Sequence, residues 1–242
     1  MIKVSLFGKN SDSIRHLLPM FVLQLVDDKP DVIISYGGDG TLLSAERKFP
    51  GIPKLPIRDS KVCKKCSFHS TETLLEFLGQ RRLNFQDFPK LEAKFESYDI
   101  LAINDIVIRN STPMHALRFR VLKNNEPVKP DVFIGDGIVA TTPFGSTGYY
   151  QSITRQTLNE GFAIAFNNTT LQIEPLKFTF EDEIKMIVVR GPGSLSSDNS
   201  SKILFLKEGD EVRIFASTAK ARIFMDTLRC NNCVILRDKR LR

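Results

Sequence analysis

The hydrophobic pattern of this chain changes period near residue 91, and few architectures accommodate such a change. Up to that point short apolar runs alternate with segments of helical spacing. Residues 2–7 read as a strand. Ser11 or Asp12 can cap a helix reaching about Val26, along which Ile14, Leu17, Leu18, Phe21, Val22 and Leu25 recur at helical spacing. Pro30 and Asp31 end it, and residues 32–35 form a short apolar run expected of a strand buried on both faces. A helix is predicted over 41–48. Residues 51–57, which follow Pro50 and hold Pro53 and Pro56, read as extended, and 71–82 is again helical, with Leu74, Leu75 and Leu78 on one face. Strand and helix in alternation imply a mostly parallel sheet with crossover helices. Beyond Leu91 the runs are β-rich: 91–95, 100–109, 116–122, 132–140, 162–166, 184–189, 203–206, 212–216 and 221–225. Asn124-Asn125 signals a hairpin, and Gly191-Pro192-Gly193 and Gly209-Asp210 mark further turns. This part reads as an antiparallel all-β domain with one helix near 146–155, and the boundary falls near residue 95.

At 242 residues the chain is long enough for one large domain or two small ones. Its 42% hydrophobic and 26% charged content excludes a wholly disordered chain. The longest apolar runs, such as 21–25 and 164–166, are far short of a membrane span, and the first residues are too short a run for a signal peptide, so a cytoplasmic protein without a membrane partner is expected. A net charge of +6 favours anionic partners without choosing among nucleotides, nucleic acid and acidic lipid. Trp is absent and Tyr scarce, so a stacking platform for single-stranded nucleic acid would have to use Phe, and no nucleic-acid partner is expected.

Three segments could carry chemistry. Gly37-Gly38-Asp39-Gly40-Thr41 directly follows a strand and opens a helix. Glycines there let the backbone approach a phosphate, and the helix N-terminus adds a positive dipole end. No Walker-type Lys follows; the loop holds an acid instead, which makes sense if Asp39 binds Mg²⁺ or takes a proton from an attacking hydroxyl. The bland alternative is an Asp-Gly turn at a helix start. Asn104-Asp105 interrupts the apolar run 100–109, and a polar pair there costs free energy unless hydrogen-bonded; its side chains suit ribose hydroxyls and an adenine edge, although such a pair is also common at a turn or bulge. Finally, Asp136-Gly137 and the stretch 141–150, Thr-Thr-Pro-Phe-Gly-Ser-Thr-Gly-Tyr-Tyr, run from a strand through a Pro-Gly bend into a helix. Ser146 or Thr147 could simply cap that helix, yet the density of small and hydroxylated residues suggests a loop moulded around a polar ligand.

In this order the three segments resemble the NAD kinase family, which carries a GGDGT loop, an Asn-Glu pair, an Asp-Gly pair and a TPxGSTAY segment. The first loop alone is shared with diacylglycerol-kinase-like, sphingosine-kinase-like and phosphofructokinase-like enzymes; the last segment is far more specific. The resemblance covers about residues 1–226. It implies an α/β domain (1–95 plus 226–242, the chain's end returning to it) and a β-sandwich domain for NAD binding and oligomerisation (96–225). It implies ATP- and Mg²⁺-dependent phosphorylation of the adenosine-ribose 2′-hydroxyl of NAD, polyphosphate being the donor in some members. Carried over by position, Asp39 would orient and deprotonate that hydroxyl; Gly37, Gly38, Gly40 and Thr41 would shape the phosphate loop; Asn104 and Asp105 would hold the dinucleotide. Asp136, Thr147, Gly148, Tyr149 and Ser152 would line the NAD site, partly from a neighbouring subunit of a homodimer or homotetramer. The chain departs from the family pattern at Asp105 (usually Glu), Phe144 (Thr or Ser), Gly148 (Ala) and throughout 57–66, where relatives have a Gly-rich segment. A lipid kinase or a catalytically silent NAD(H) sensor is the alternative.

All four cysteines fall in two Cys-x-x-Cys pairs, Cys63/Cys66 and Cys230/Cys233. Together they could supply one tetrahedral structural Zn²⁺ site. Their wide separation is bridged if the C-terminal segment folds back onto the first domain, as the resemblance implies. A redox or disulfide pair, or thiols with no special role, are the alternatives.

Overall fold

A computed structural model of the chain describes residues 1–59 and 69–224. They divide into two units, one holding the described residues up to Phe88 together with 220–224, the other Pro89–Ala219. In the first unit, β1 (Ile2–Phe7), β2 (Leu23–Leu25), β3 (Val32–Gly37) and β4 (Lys54–Arg58) lie in the order β4-β3-β1-β2, every pair parallel. α1 (Asp39–Lys48) connects β3 to β4, and α2 (Thr71–Gly79) follows, capped by the Ser70 hydroxyl, which accepts the Thr73 N–H at 3.1 Å. After its excursion the chain returns, and Ile223 pairs in parallel with Lys54. Val4, Val32, Ile34, Leu55 and Ile57 from the sheet pack with Ile14, Leu18, Leu74, Leu75, Leu78 and Phe224. Lys54 is fully buried; its ammonium pairs with Glu46 and donates to the Phe49 carbonyl at 2.5 Å, fastening the end of α1 to β4.

The helix expected from Ser11 to about Val26 is corrected. Ser11–Phe21 is a 3-10 helix, and Leu23–Leu25 is the edge strand β2. Pro19 lacks the N–H that a continuing helix needs. Val22 takes a left-handed conformation (φ 59°), its N–H serving the Leu18 and Pro19 carbonyls, and the chain leaves extended.

The second unit is a sandwich of two sheets. Its strands are β5 (Phe85–Phe95), which begins in the first unit, β6 (Tyr98–Ala102), β7 (Asp105–Asn110), β8 (Leu117–Lys123), β9 (Glu126–Pro127), β10 (Phe133–Gly135), β11 (Gly137–Thr141), β12 (Phe162–Asn167), β13 (Leu176–Phe178), β14 (Glu183–Arg190), β15 (Gly193–Ser197), β16 (Leu204–Leu206) and β17 (Glu211–Phe224), whose end belongs to the first unit. One sheet runs β10-β8-β14-β17, with β5 beside β17; the other runs β13-β12-β11-β7-β15-β16, antiparallel throughout. Alternate residues of β8 and β14 point inward, as a sheet with one buried face requires. Phe119, Phe133 and Phe166 stack through the core, with centroids 5.4 and 4.6 Å apart. β11 is buried on both faces because α3 (Tyr149–Thr154) brings Tyr150 and Ile153 against the outer side with Leu158, Ala163 and Ala165.

The single runs expected over 100–109 and 132–140 are each broken, at Ile103-Asn104 and at Asp136, and residues 193–197, expected to begin in a turn, form β15. Among the described residues no helix is long and apolar enough to cross a membrane.

The Asn124-Asn125 turn has positive φ at both residues (49° and 69°), as the hairpin signal required. It is locked by Asp182, which accepts the Asn124 amide at 2.7 Å, the Thr179 N–H at 2.9 Å and the Lys123 ammonium at 3.1 Å. Burial opposes the charge, but these donors outweigh it and hold the carboxyl at about 2, below its ordinary 3.8. A depressed acid stabilises the fold above its unfolded value and loses that contribution as pH falls toward the folded one. Asp182→Asn should therefore lower stability near neutral pH by on the order of 1 kcal/mol and narrow the stability difference between pH 5 and pH 2, read by urea melts at the two pH values.

Candidate active site

In the first unit the connections from β1 and β3, adjacent in the sheet, diverge to opposite sides, toward β2 and β4. Open parallel sheets bind ligands in the crevice outside the carboxyl ends of such strands. Gly37-Gly38-Asp39-Gly40-Thr41 lies there. Gly37 ends β3, Gly38 is the N-cap in an extended conformation, and half-buried Asp39 is the first residue of α1, two residues before the expected helix start. The Thr41 and Leu42 N–H groups close on the Gly38 carbonyl at 3.0 and 3.2 Å. Gly40 is exposed and Thr41 half-buried. Gly8, just after β1, was not singled out from the sequence. Its φ is +143°, and a Cβ there would stand 2.1 Å from the Tyr36 carbonyl oxygen, so the two loops meet backbone to backbone. The loop after β4 joins them: Asp59 donates its N–H to the Gly37 carbonyl at 3.1 Å and accepts the Asn10 amide at 2.8 Å.

In the second unit Asn104 occupies the break between β6 and β7, and Asp105, buried, opens β7. The backbone of 103–105 is held on all sides. The Asp198 carboxylate accepts N–H bonds from Ile103 (3.0 Å), Asn104 (2.8 Å) and Asp105 (3.1 Å), and the Asp198 N–H donates to the Asp105 carbonyl at 2.9 Å. Burial pushes the Asp198 carboxyl up, against these three donors and Lys90, which hold it down. On the other side the Thr142 hydroxyl donates to the Ile103 carbonyl at 2.5 Å and accepts the Gly145 N–H at 3.1 Å, while the Thr142 N–H and the Thr141 hydroxyl donate to the Asn104 carbonyl at 3.0 and 3.1 Å. The Asn104 side-chain oxygen Oδ1 is buried with no hydrogen-bond partner.

Asp136 sits at the other end of the same strands. Asp105 is level with Thr141 and Arg109 with Gly137, so roughly 15 Å of strand separates Asp105 from Asp136. Asp136 accepts the Asn110 and Asn168 amides at 3.4 and 3.2 Å, and Asn167 donates to the Tyr149 hydroxyl at 3.0 Å. Asp136 is thus linked to Tyr149 through Asn167, whose carbonyl accepts the Asp136 N–H at 2.9 Å, while Asn104 and Asp105 are adjacent at the break. Gly148 is the N-cap of α3, and neither Ser146 nor Thr147 caps it. Ser146 is buried, donating to Pro143 at 2.9 Å and accepting the Leu158 N–H at 3.0 Å. Thr147 precedes the cap, and exposed Ser152 turns its hydroxyl onto the Tyr149 carbonyl at 2.6 Å. A cleft of about 660 Å³ in the second unit, lined by Lys123, Phe178 and Asp182 among others, includes none of these residues.

No family model matches the chain. Along nearly its whole length it is similar to the NAD kinase of Sulfurisphaera tokodaii, with 28% identity over 243 aligned positions, 92% of this chain and 94% of that one. The chain is thus similar to NAD kinases over nearly its full length. Among solved structures, yeast NADH kinase complexed with NADH has a TM-score of 0.83 at 16% identity, covering all of this chain and 87% of that one. An NAD kinase from Archaeoglobus fulgidus in complex with ATP has a TM-score of 0.78 at 20% identity, covering 100% and 99%. These likenesses carry the fold, an α/β unit and a β-sandwich unit.

NAD kinase activity implies Mg²⁺. Among the described residues no group of three or more His, Cys, Asp or Glu side chains could hold a metal ion. Mg²⁺ at a phosphoryl-transfer site takes one or two carboxylates plus substrate phosphates rather than a protein cage; Asp39 places a carboxylate at the helix start beside the glycine loop. The expected zinc ligands Cys63, Cys66, Cys230 and Cys233 all lie outside the described residues.

The departures from the family pattern divide by packing. Phe144 is 7% exposed, so its ring fills space rather than facing solvent. A Cβ on Gly145 would stand 2.1 Å from the Asn104 carbonyl oxygen, whereas one on Gly148 would meet only the Gly145 oxygen, at 3.1 Å. Gly145→Ala should thus destabilise the protein by about 1–3 kcal/mol, and Gly148→Ala, which restores the usual family residue, by under about 1 kcal/mol. Denaturant melts of the two variants side by side check this, and equal losses would contradict it.

Proposed function

We propose that this chain is an ATP-dependent NAD kinase that transfers the terminal phosphoryl group of ATP to the adenosine-ribose 2′-hydroxyl of NAD, giving NADP. The carrying observation is similarity to an NAD kinase over nearly the full length of both chains, supported by a glycine-acid loop at the divergence point of a parallel sheet. Phosphoryl transfer asks mainly for positioning and charge stabilisation, so no covalent nucleophile is required. Asp39 orients the 2′-hydroxyl and accepts its proton as the oxygen attacks. The start of α1 favours phosphate through its dipole, and Gly37, Gly38, Gly40 and Thr41 let backbone approach it. Mg²⁺ when bound neutralises phosphate charge. Asn104 and Asp105 hold the dinucleotide; the unpartnered Asn104 oxygen supports this, since it offers a hydroxyl or amino donor an acceptor.

The strand length between Asp105 and Asp136 supports a homo-oligomer, dimer or tetramer, in which a neighbouring copy supplies Asp136, Thr147, Gly148, Tyr149 and Ser152 to the NAD site. The enzyme is cytoplasmic. The pairs Cys63/Cys66 and Cys230/Cys233 bind one structural zinc, a reading that rests on their spacing in the sequence alone. About one zinc per chain is expected by elemental analysis, lost on Cys63→Ser or Cys230→Ser together with thermal stability. Metal-free protein with four freely titrating thiols would remove the zinc.

Purified protein mixed with ATP, Mg²⁺ and NAD⁺ should release ADP and form NADP⁺; absence of turnover with ATP or polyphosphate on either NAD⁺ or NADH would overturn the activity. Turnover of diacylglycerol or sphingosine instead would hand the loop to a lipid kinase. NAD binding without turnover would make the chain a sensor, a reading weakened by the inward packing of Phe144. Asp39→Asn keeps size but loses charge and basicity, so kcat should fall about 10²–10⁴-fold with substrate binding retained. An unchanged kcat would take Asp39 out of the mechanism.

A further inference from the structure

Asp198 has no place in the motifs, yet its carboxylate is the shared acceptor for three consecutive backbone N–H groups, those of Ile103, Asn104 and Asp105. We infer that Asp198 is a positioning residue for NAD, acting through Asn104 by fixing the backbone from which the Asn104 amide projects; this rests on the NAD kinase reading above.

The backbone groups of the break are accounted for one by one. The three N–H groups go to Asp198. The Ile103 carbonyl takes the Thr142 hydroxyl, the Asn104 carbonyl takes Thr142 N–H and the Thr141 hydroxyl, and the Asp105 carbonyl takes Asp198 N–H. What remains unsatisfied is on the Asn104 side chain: Oδ1, buried and without a partner. A buried acceptor of that kind costs free energy unless a ligand donor meets it. The cost is tolerated when the surrounding structure over-determines the conformation, and here the grip comes from both sides. Asp198 itself sits at φ 46°, a left-handed conformation that Asp and Asn adopt more readily than other side chains. It follows β15, whose Ser197 is level with Ile106 on β7, so strand register delivers the carboxylate to the break.

One oxygen of Asp198 serves two N–H groups and the other serves one. An amide in its place keeps a single acceptor oxygen and turns an NH₂ donor toward a backbone donor. Asp198→Asn retains the left-handed preference and the volume, so it isolates the loss of the carboxylate. The expected result is a rise of about tenfold to a hundredfold in KM for NAD, with KM for ATP changed less than about twofold. Calorimetry of NAD⁺ binding without ATP should show the same loss. A residue with a merely structural role would move both substrates or neither.

The decisive measurement is the cycle with Asn104→Ala. If Asp198 acts through Asn104, adding Asp198→Asn to Asn104→Ala lowers NAD affinity far less than Asp198→Asn does alone, the remainder running through Asp105 on the same backbone, so the two effects are far from additive. Additive effects, an unchanged KM for NAD, or equal shifts in KM for NAD and ATP would each overturn the assignment. Asp198→Gly, which accepts the same backbone angle without the carboxylate, is the second variant; if neither variant folds, Asp198 is a stability residue and the assignment falls. Wild-type protein run in parallel separates the two readings. No NADP⁺ from wild type defeats the kinase itself, whereas an active wild type with an unaffected Asp198→Asn defeats only the role of Asp198.

Discussion

Wherever a strand stops inside a packed domain, its backbone N–H and C=O groups must find other partners. Three of the segments singled out for chemistry sit at such stops. Gly37 to Thr41 is the stop of β3, settled by helix initiation on the Gly38 carbonyl and by the loop from β4 reaching the Gly37 carbonyl. Asn104 is the stop between β6 and β7, settled by Asp198 and Thr142. Asp136 is the stop between β10 and β11, settled by exchange with Asn110 and Asn167, whose backbone groups it pairs. Each solution freezes local geometry and leaves a polar side chain projecting from a rigid frame, which is what positioning chemistry needs.

Much of this frame was legible because the physics that builds it is local. The apolar run at 32–35, the glycines after it and the helical spacing beyond are enough to place β3, the loop and α1. The alternation in β8 and β14 follows from one buried face. The expected helix through Val26 failed where local pattern and pairing competed: Leu23 and Leu25 fit a helical stripe, but a left-handed Val22 after Pro19 released them to pair with β1. The Asn104-Asp105 pair was visible as a polar interruption, while its status as a break was not. The partner that makes the break affordable lies 93 to 95 residues away in sequence. A Ser-Ser-Asp-Asn run after a strand signals a turn, and nothing local says which backbone it will grip.

Charge placement follows the same logic of burial with compensation. Lys54 and Glu46 are both buried and satisfy one another, with the Phe49 carbonyl and the Gly51 N–H as further partners. Replacing one member of such a pair leaves an uncompensated charge inside the unit. Asp182 and Asp198 differ instructively. The first is held low by mixed donors that include a cation, the second is pushed up because burial outweighs three backbone donors and Lys90. Three neutral N–H groups hold an acid in place without fully offsetting its desolvation.

The stretch from Thr141 to Tyr150 shows how a specific motif can be mostly architecture. Its small and hydroxylated residues suggested a loop moulded around a polar ligand. In the structure the hydroxyls of Thr141, Thr142 and Ser146 turn inward, onto the carbonyls of Asn104, Ile103 and Pro143. Gly145 is small because the Asn104 backbone lies against it, and Ser146 holds Leu158, which packs beneath α3. The loop is moulded first around the protein's own backbone, and that backbone carries the Asn104 amide. Changing such an inward hydroxyl would act first on the neighbouring strand break, since that backbone is what the hydroxyl holds.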